Sequence, residues 1–278
     1  MPLDGTTESQ HALRWALSLA RRIHCDIEVV HVLVEPPRAG ELYGVPVPSD
    51  WTTEHTRSVA YERLTRIVDA LAKLGVQSTI TMLEGAVPSA LAEYFDSSAT
   101  DFVVMAMHHA SRLEHLLFGS VVGSVTRHVH VPVLVIPAST EAPAFSSLVD
   151  IKRVLVPLDG SEVAEQIIPV VSTLAAATHP EIVLLRVIAP AAAGRAPIGE
   201  FAGIAQDLRH TATSVHSFAL VDNDPAQAII DYAEQHEADV IAMTTSGRGA
   251  FARVVLGSVA TGVLRHAHRP VLLLRPRS

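Results

Sequence analysis

Gly-Arg-Gly-Ala-Phe-Ala-Arg-Val-Val-Leu-Gly-Ser, residues Gly247 to Ser258, is preceded by an apolar run of strand length, Asp239 to Met243. It is followed by Val259 to His268, which reads as a helix stopped ahead of Pro270. The order is strand, glycine loop, then Gly257-Ser258 opening a helix. Such a loop brings backbone N–H groups up to an anion, and the free N–H groups of the first helical turn add a positive dipole end. Gly247 and Gly249 permit backbone angles and close contacts that a side chain would block. Ser258 adds a hydroxyl donor. The same stretch also serves as a plain strand-to-helix connection with Ser258 as its cap, and shape alone leaves both uses open.

Moving outward, the chain is written twice. Pro2-Leu3-Asp4-Gly5 reappears as Pro157-Leu158-Asp159-Gly160, and His31-Val32 aligns with Arg186-Val187, both at an offset of 155. Phe118-Gly119-Ser120 reappears as Leu256-Gly257-Ser258 at an offset of 138, as does the run from His128 to Leu134 in that from His266 to Leu272. The offset falls from 155 to 138, so the first half carries 17 extra residues, placed most naturally in Pro36 to Thr53. This is a tandem duplication and not a short-period solenoid. Residues 139–150, rich in Ser, Pro, Thr and Ala, read as the linker between units 1–138 and 151–278.

Each half alternates strand and helix. Strands are expected at Asp26 to Leu33, Gln77 to Leu83, Phe102 to Met107 and Pro132 to Ile136. In the second half they fall at Val154 to Leu158, Ile182 to Ile188, Val215 to Val221, Val240 to Met243 and Val271 to Leu274. Leu13, Ala16, Leu17, Ala20 and Ile23 recur at helical spacing. Strands dense in Val and Leu with helices between them argue parallel sheets covered on both faces. Pro169 should break the helix expected over Ser161 to Ala176. The first half begins Met1-Pro2-Leu3-Asp4, four or five residues short of the strand that precedes Asp159. A missing central strand would leave neighbouring N–H and C=O groups unpaired, so either the start lies upstream or the domain tolerates a stub.

Composition narrows the class. At 278 residues there is room for two ordinary domains, and 49% hydrophobic with 5% aromatic residues implies aliphatic cores. The net charge of −8 argues against a nucleic-acid partner. The lone Cys25 forms no internal disulfide, no apolar stretch is of membrane-spanning length, and the N-terminus lacks a secretory layout. A cytoplasmic protein without a membrane partner is the expectation.

The loop resembles the signature of the universal stress protein family, Gly-x2-Gly-x9-Gly-Ser/Thr, with which ATP-binding members wrap nucleotide phosphates. Thr244 stands at the first glycine, Gly247 at the second, and Gly257-Ser258 follow after nine residues. Arg153 to Ser161, Asp224-Pro225-Ala226, Ala238 to Met243 and His266 to Leu274 match as well, in the family's order. The resemblance implies two tandem Rossmann-like or flavodoxin-like α/β domains, each an open, mostly parallel five-stranded sheet with helices on both faces. It implies antiparallel docking of the last strands, Val133 to Ile136 and Val271 to Leu274, as an internal pseudo-dimer, with a homodimer possible beyond that. It also implies a stress-response or regulatory protein binding ATP or a related adenine nucleotide, with or without Mg2+, in the second domain. The residues so implicated are Asp159, Val187, Thr244, Gly247, Arg248, Gly249, Gly257 and Ser258. Asp159 is equally a turn residue ahead of a Ser161-capped helix, Val187 an ordinary core valine, and Arg248, like Arg253, a solvated loop arginine. Thr244 in place of glycine favours a nucleotide-free interaction scaffold instead. Nine residues back from Gly119-Ser120 stand His109 and Ala106, so the first domain lacks both loop glycines.

No catalytic constellation emerges: there is no Gly-x-Ser-x-Gly elbow and no Gly-Lys-Ser/Thr P-loop, so at most slow ATP hydrolysis is implied. His108, His109, His115, His128 and His130 invite a metal, yet no convergent set of three or four ligands can be drawn from them.

Overall fold

A computed structural model describes residues 1–34, 49–107, 120–140, 149–195, 199–246 and 256–277. The first half contributes α1 (Thr7–Ile23), β1 (Ile27–Leu33), α2 (Ser49–Lys73), β2 (Ser78–Glu84), α3 (Val87–Ser97), β3 (Val103–Met107), α4 (Ser120–His128) and β4 (Val133–Pro137). The second contributes β5 (Arg153–Pro157), α5 (Glu162–Glu165), α6 (Ile168–Thr178), β6 (Glu181–Ile188), α7 (Ala202–Leu208), β7 (Ser214–Val221), α8 (Pro225–Gln235), β8 (Val240–Thr244), α9 (Ser258–His266) and β9 (Val271–Leu274), with a 3-10 turn at Pro190–Arg195.

The second half is a doubly wound sheet of order β9-β8-β5-β6-β7, parallel throughout. Its middle strands are apolar on both faces, as a sheet covered on both sides demands. Val154, Val156, Ile182 and Leu184 enter one core, and Leu155, Val183, Leu185 and Ile241 the other. The Asp239 carboxylate accepts the N–H groups of Lys152 (2.7 Å) and Arg153 (2.8 Å), which ties the start of β8 to that of β5. The helix expected over Ser161 to Ala176 is broken between α5 and α6, and Pro169 lies in the first turn of α6, where its missing N–H costs nothing.

The first half departs from the five-stranded expectation. Its described strands fall into a β1-β2 pair and a β3-β4 pair, and the place of a central strand holds only an isolated bridge between Pro2 and Val30. Leu3 N–H donates to Val30 O (2.9 Å) and Val30 N–H to Met1 O (2.8 Å). Proline brings no N–H, so Pro2 donates nothing to a ladder at this bridge. Helix α1 packs against β3. It is buried on nearly every side, at Ala12, Leu13, Trp15, Ala16, Leu17, Leu19 and Ala20, while Ile23 is exposed.

The halves join through β4 and β9, antiparallel, with Leu134 opposite Leu272. These two leucines are equivalent in the repeat, so a pseudo-twofold axis passes between them. The pairing makes one seven-stranded sheet, β3-β4-β9-β8-β5-β6-β7. A second tie comes from α1: the Ser18 hydroxyl accepts the Val149 N–H, and Arg22 Nε donates to Val149 O (3.0 Å) just ahead of β5. Part of the first half's extra length lies in α2, which has 25 residues against 7 in its counterpart α7. Of the expected insertion, 36–48 lie outside the described residues.

Candidate functional site

In an open α/β sheet, ligands collect at the carboxyl ends of the strands where the strand order reverses. Here the chain runs from β5 outward to β6 and β7, then returns to β8 on the other side of β5. The reversal therefore lies between β5 and β8. Asp159 stands just past β5, Thr244 ends β8, and Gly257-Ser258 open α9.

The Asp159 carboxylate is partly engaged by its own turn. Its Oδ1 accepts the Ser161 N–H (3.0 Å) and hydroxyl (2.5 Å), and the Ser161 hydroxyl accepts the Ala164 N–H (3.2 Å) to cap α5. Gly160 between them has φ +72°, a left-handed angle that favours glycine. The first half repeats this turn: Asp4 Oδ1 accepts the N–H (2.9 Å) and hydroxyl (2.7 Å) of Thr6, around Gly5 at φ +92°.

Thr244 is buried, and its hydroxyl donates to Ser246 O at 2.7 Å. The place of the first glycine thus lies inside a strand, and the threonine closes the turn on itself. Gly257 N–H donates to Thr245 O at 2.7 Å, and a Cβ on Gly257 would lie 3.3 Å from that oxygen. Its own φ is −61°, so glycine is favoured there by close approach and not by conformation. Among the described residues no side chain caps α9, whose first residue, Ser258, is exposed. Val187 is half-buried on β6, opposite Leu220 of β7, against the core on the α8–α9 side. Gly247, Arg248, Gly249 and Arg253 lie outside the described residues.

Two arginines at these edges were invisible as site residues in the sequence. In the first half, Arg63 of α2 lies on the Asp4-Gly5 turn: a Cβ on Gly5 would fall 2.0 Å from its Nη1, and Nη2 donates to Asp4 O at 3.4 Å. In the second half, Arg186 stands beside Val187 on the opposite face of β6, paired with Glu200 at 3.7 Å. Both contacts join residues that are distant or irregularly spaced in the chain, so no motif announces them.

The histidines form no metal site among the described residues. His128 Nδ1 is bonded to Ser124 O (2.8 Å) and His130 Nδ1 to Asp96 (3.0 Å). His108, His109 and His115 lie outside the described residues. Among the described residues no helix is long and apolar enough to cross a membrane.

Fold and edge together define a class: a doubly wound α/β domain, duplicated, its halves joined through antiparallel outer strands. The chain belongs to the universal stress protein family, whose model matches residues 1–137 and 150–275. It is 25% identical to universal stress protein Rv2623 of Mycobacterium tuberculosis, over 98% of this chain and 94% of that protein. It is 26% identical to a universal stress protein of Mycolicibacterium smegmatis, over 99% and 96% of the two chains. Among solved structures, a universal stress protein from Archaeoglobus fulgidus superposes with a TM-score of 0.74 over 99% of this chain and 96% of its own, at 20% identity. That likeness speaks to the fold.

Proposed function

We propose that the second domain, residues 151–278, binds ATP or a related adenine nucleotide, with or without Mg2+, and acts as a stress-response or regulatory module with at most slow hydrolysis. The observation that carries this is Gly257. It sits at the start of a helix without a side-chain cap among the described residues, so close to the Thr245 carbonyl that a side chain would have to push the turn back by a few tenths of an ångström. The first turn of α9, with Ser258 exposed, then offers backbone N–H groups and the Ser258 hydroxyl to an anion, at the carboxyl edge where β5 carries Asp159. In this reading Thr244, Gly247, Arg248, Gly249, Gly257 and Ser258 surround the phosphates, and Asp159 and Val187 the base and ribose.

A nucleotide-free interaction scaffold is the competing reading, favoured by one observation: the Thr244 hydroxyl completes its own turn without a ligand. Mass spectrometry of small molecules released by denaturing the gently purified protein separates the two. An adenine nucleotide near equimolar amount is expected. A spectrum without one, from protein that also takes up no added ATP, supports the scaffold.

A further inference from the structure

Strand β7 ends the seven-stranded sheet, and among the described residues no strand lies beyond it. Edge strands are ordinarily blunted by a charged side chain, a proline, a bulge or a cover. β7 has no charge and no proline, pairs with β6 without a bulge over its whole length, and exposes His216, Ser217, Phe218 and Ala219 in a row. Phe218 is 48% and Val221 54% exposed. The duplication supplies an internal control. The counterpart strand, β2, carries Glu84, which Arg57 of the long α2 meets in an ion pair, and no residue from Ile80 to Leu83 is exposed. The 7-residue α7 gives the middle of β7 no such cover.

The pairing with β6 turns a defined set of backbone groups outward. Glu181 N–H donates to Lys152 O, and Leu185 O accepts the Leu158 N–H, so the odd residues of β6 turn to β5 and the even ones to β7. In keeping with this, Ile188 O accepts the Asp222 N–H. By register and alternation, His216, Phe218 and Leu220 then bond toward β6, and the N–H and C=O groups of Val215, Ser217 and Ala219 point to the open side. The side chains of His216 and Phe218 share the α8 face. There the His216 ring stacks on Phe218 at 6.3 Å, and Phe218 meets Tyr232 of α8 at 6.1 Å.

We infer that β7 is the surface through which two copies of this chain associate, antiparallel about a twofold axis at Ser217. Charge selects a second copy as the occupant. Exposed Arg209 and His210 stand ahead of the strand, and exposed Asp222 and Asp224 follow it. Antiparallel self-pairing brings the basic end of each copy beside the acidic end of the other, with no charged residue inside the strand to oppose its like. At a net charge of −8, contact elsewhere between two copies is on balance repulsive. With Ser217 on the axis, its own N–H and C=O meet those of Ser217 in the other copy, and Val215 exchanges hydrogen bonds with Ala219. His216 then falls opposite Phe218 of the other copy, and the two aromatic rows join. The inference stands apart from the nucleotide reading and from the β4–β9 seam.

Sedimentation velocity of the full-length chain across the micromolar range tests it, with two variants at Ser217, whose main-chain groups turn away from β6. Wild type is expected to sediment as a dimer at the upper end of that range. Ser217→Lys sets two ammonium groups against each other on the axis and is expected to raise the dimer dissociation constant at least about tenfold. Ser217→Pro removes the N–H offered to the other copy while leaving the β6 ladder whole, and is expected to leave monomer alone. Both should keep the far-UV spectrum of the wild type; if Ser217→Pro does not fold, Ser217→Lys decides. A wild type that stays monomeric would overturn the inference and leave this edge to a segment of another protein. A dimer that persists unchanged in Ser217→Lys would overturn it too, by placing the interface on another surface.

Discussion

At Gly257 one hydrogen atom sets how close the end of β8 comes to the start of α9. The backbone angles there suit any residue, so Gly257→Ala meets only the 3.3 Å approach to Thr245 O. That neighbour is a main-chain carbonyl and cannot swing away. The variant is expected to lose about 1–3 kcal/mol of stability, as overpacked sites do, read from urea unfolding. A loss of nucleotide affinity larger than that stability change would mark the position as part of the phosphate cradle. Unchanged stability would mean that the turn yields freely. The residues at this scale were legible in unequal degree. Asp159, Thr244, Gly257 and Ser258 could be singled out only through the resemblance to the family signature, and they lie at the β5–β8 edge. Arg63 over Gly5 and Arg186 against Glu200 arise from packing between elements, and a lone arginine in a helix or a strand carries no such signal.

Among the elements, α1 is the one whose role was least foreseeable. Leu13, Ala16, Leu17 and Ala20 repeat as for a helix with one buried stripe, but the helix is enclosed on nearly all sides, Trp15 and Leu19 included. The cause lies outside α1: the central-strand position of its domain holds only the Pro2 bridge, and the helix closes onto β3. The alanines at 12, 16 and 20 share one face at a spacing of four, and Ala12 is fully buried. Ala12→Leu is therefore expected to destabilise the protein by about 1–3 kcal/mol through overpacking, seen as a lower midpoint in thermal or urea unfolding. A neutral or stabilising result would show that the space beside β3 is loosely filled. The strands, by contrast, were legible throughout, because β5, β6 and β8 are dense in Val, Leu and Ile and must be buried on both faces. The α5–α6 break was legible for a different reason, Pro169 alone. The start of α2 at Ser49 falls within a stretch crowded with Pro and Gly, and no apolar periodicity there announces it.

For the whole molecule, the duplication accounts for both the symmetry and its loss. Leu134 faces Leu272 because an antiparallel seam between equivalent strands must place some equivalent pair on its axis. The two carboxyl edges, however, have diverged. In the second half Asp159 faces the reversal between β5 and β8. In the first, Arg63 lies on the matching turn and β1 is separated from β3. An adenine nucleotide should accordingly find the first half's edge filled by the protein's own Arg63 side chain. Titration calorimetry of the intact chain with ATP measures this directly, with Asp159→Ala and Asp4→Ala beside the wild type. One site per chain is expected, lost in Asp159→Ala and kept in Asp4→Ala. Two equal sites, or a site lost in Asp4→Ala and retained in Asp159→Ala, would contradict the assignment of the nucleotide to the second half.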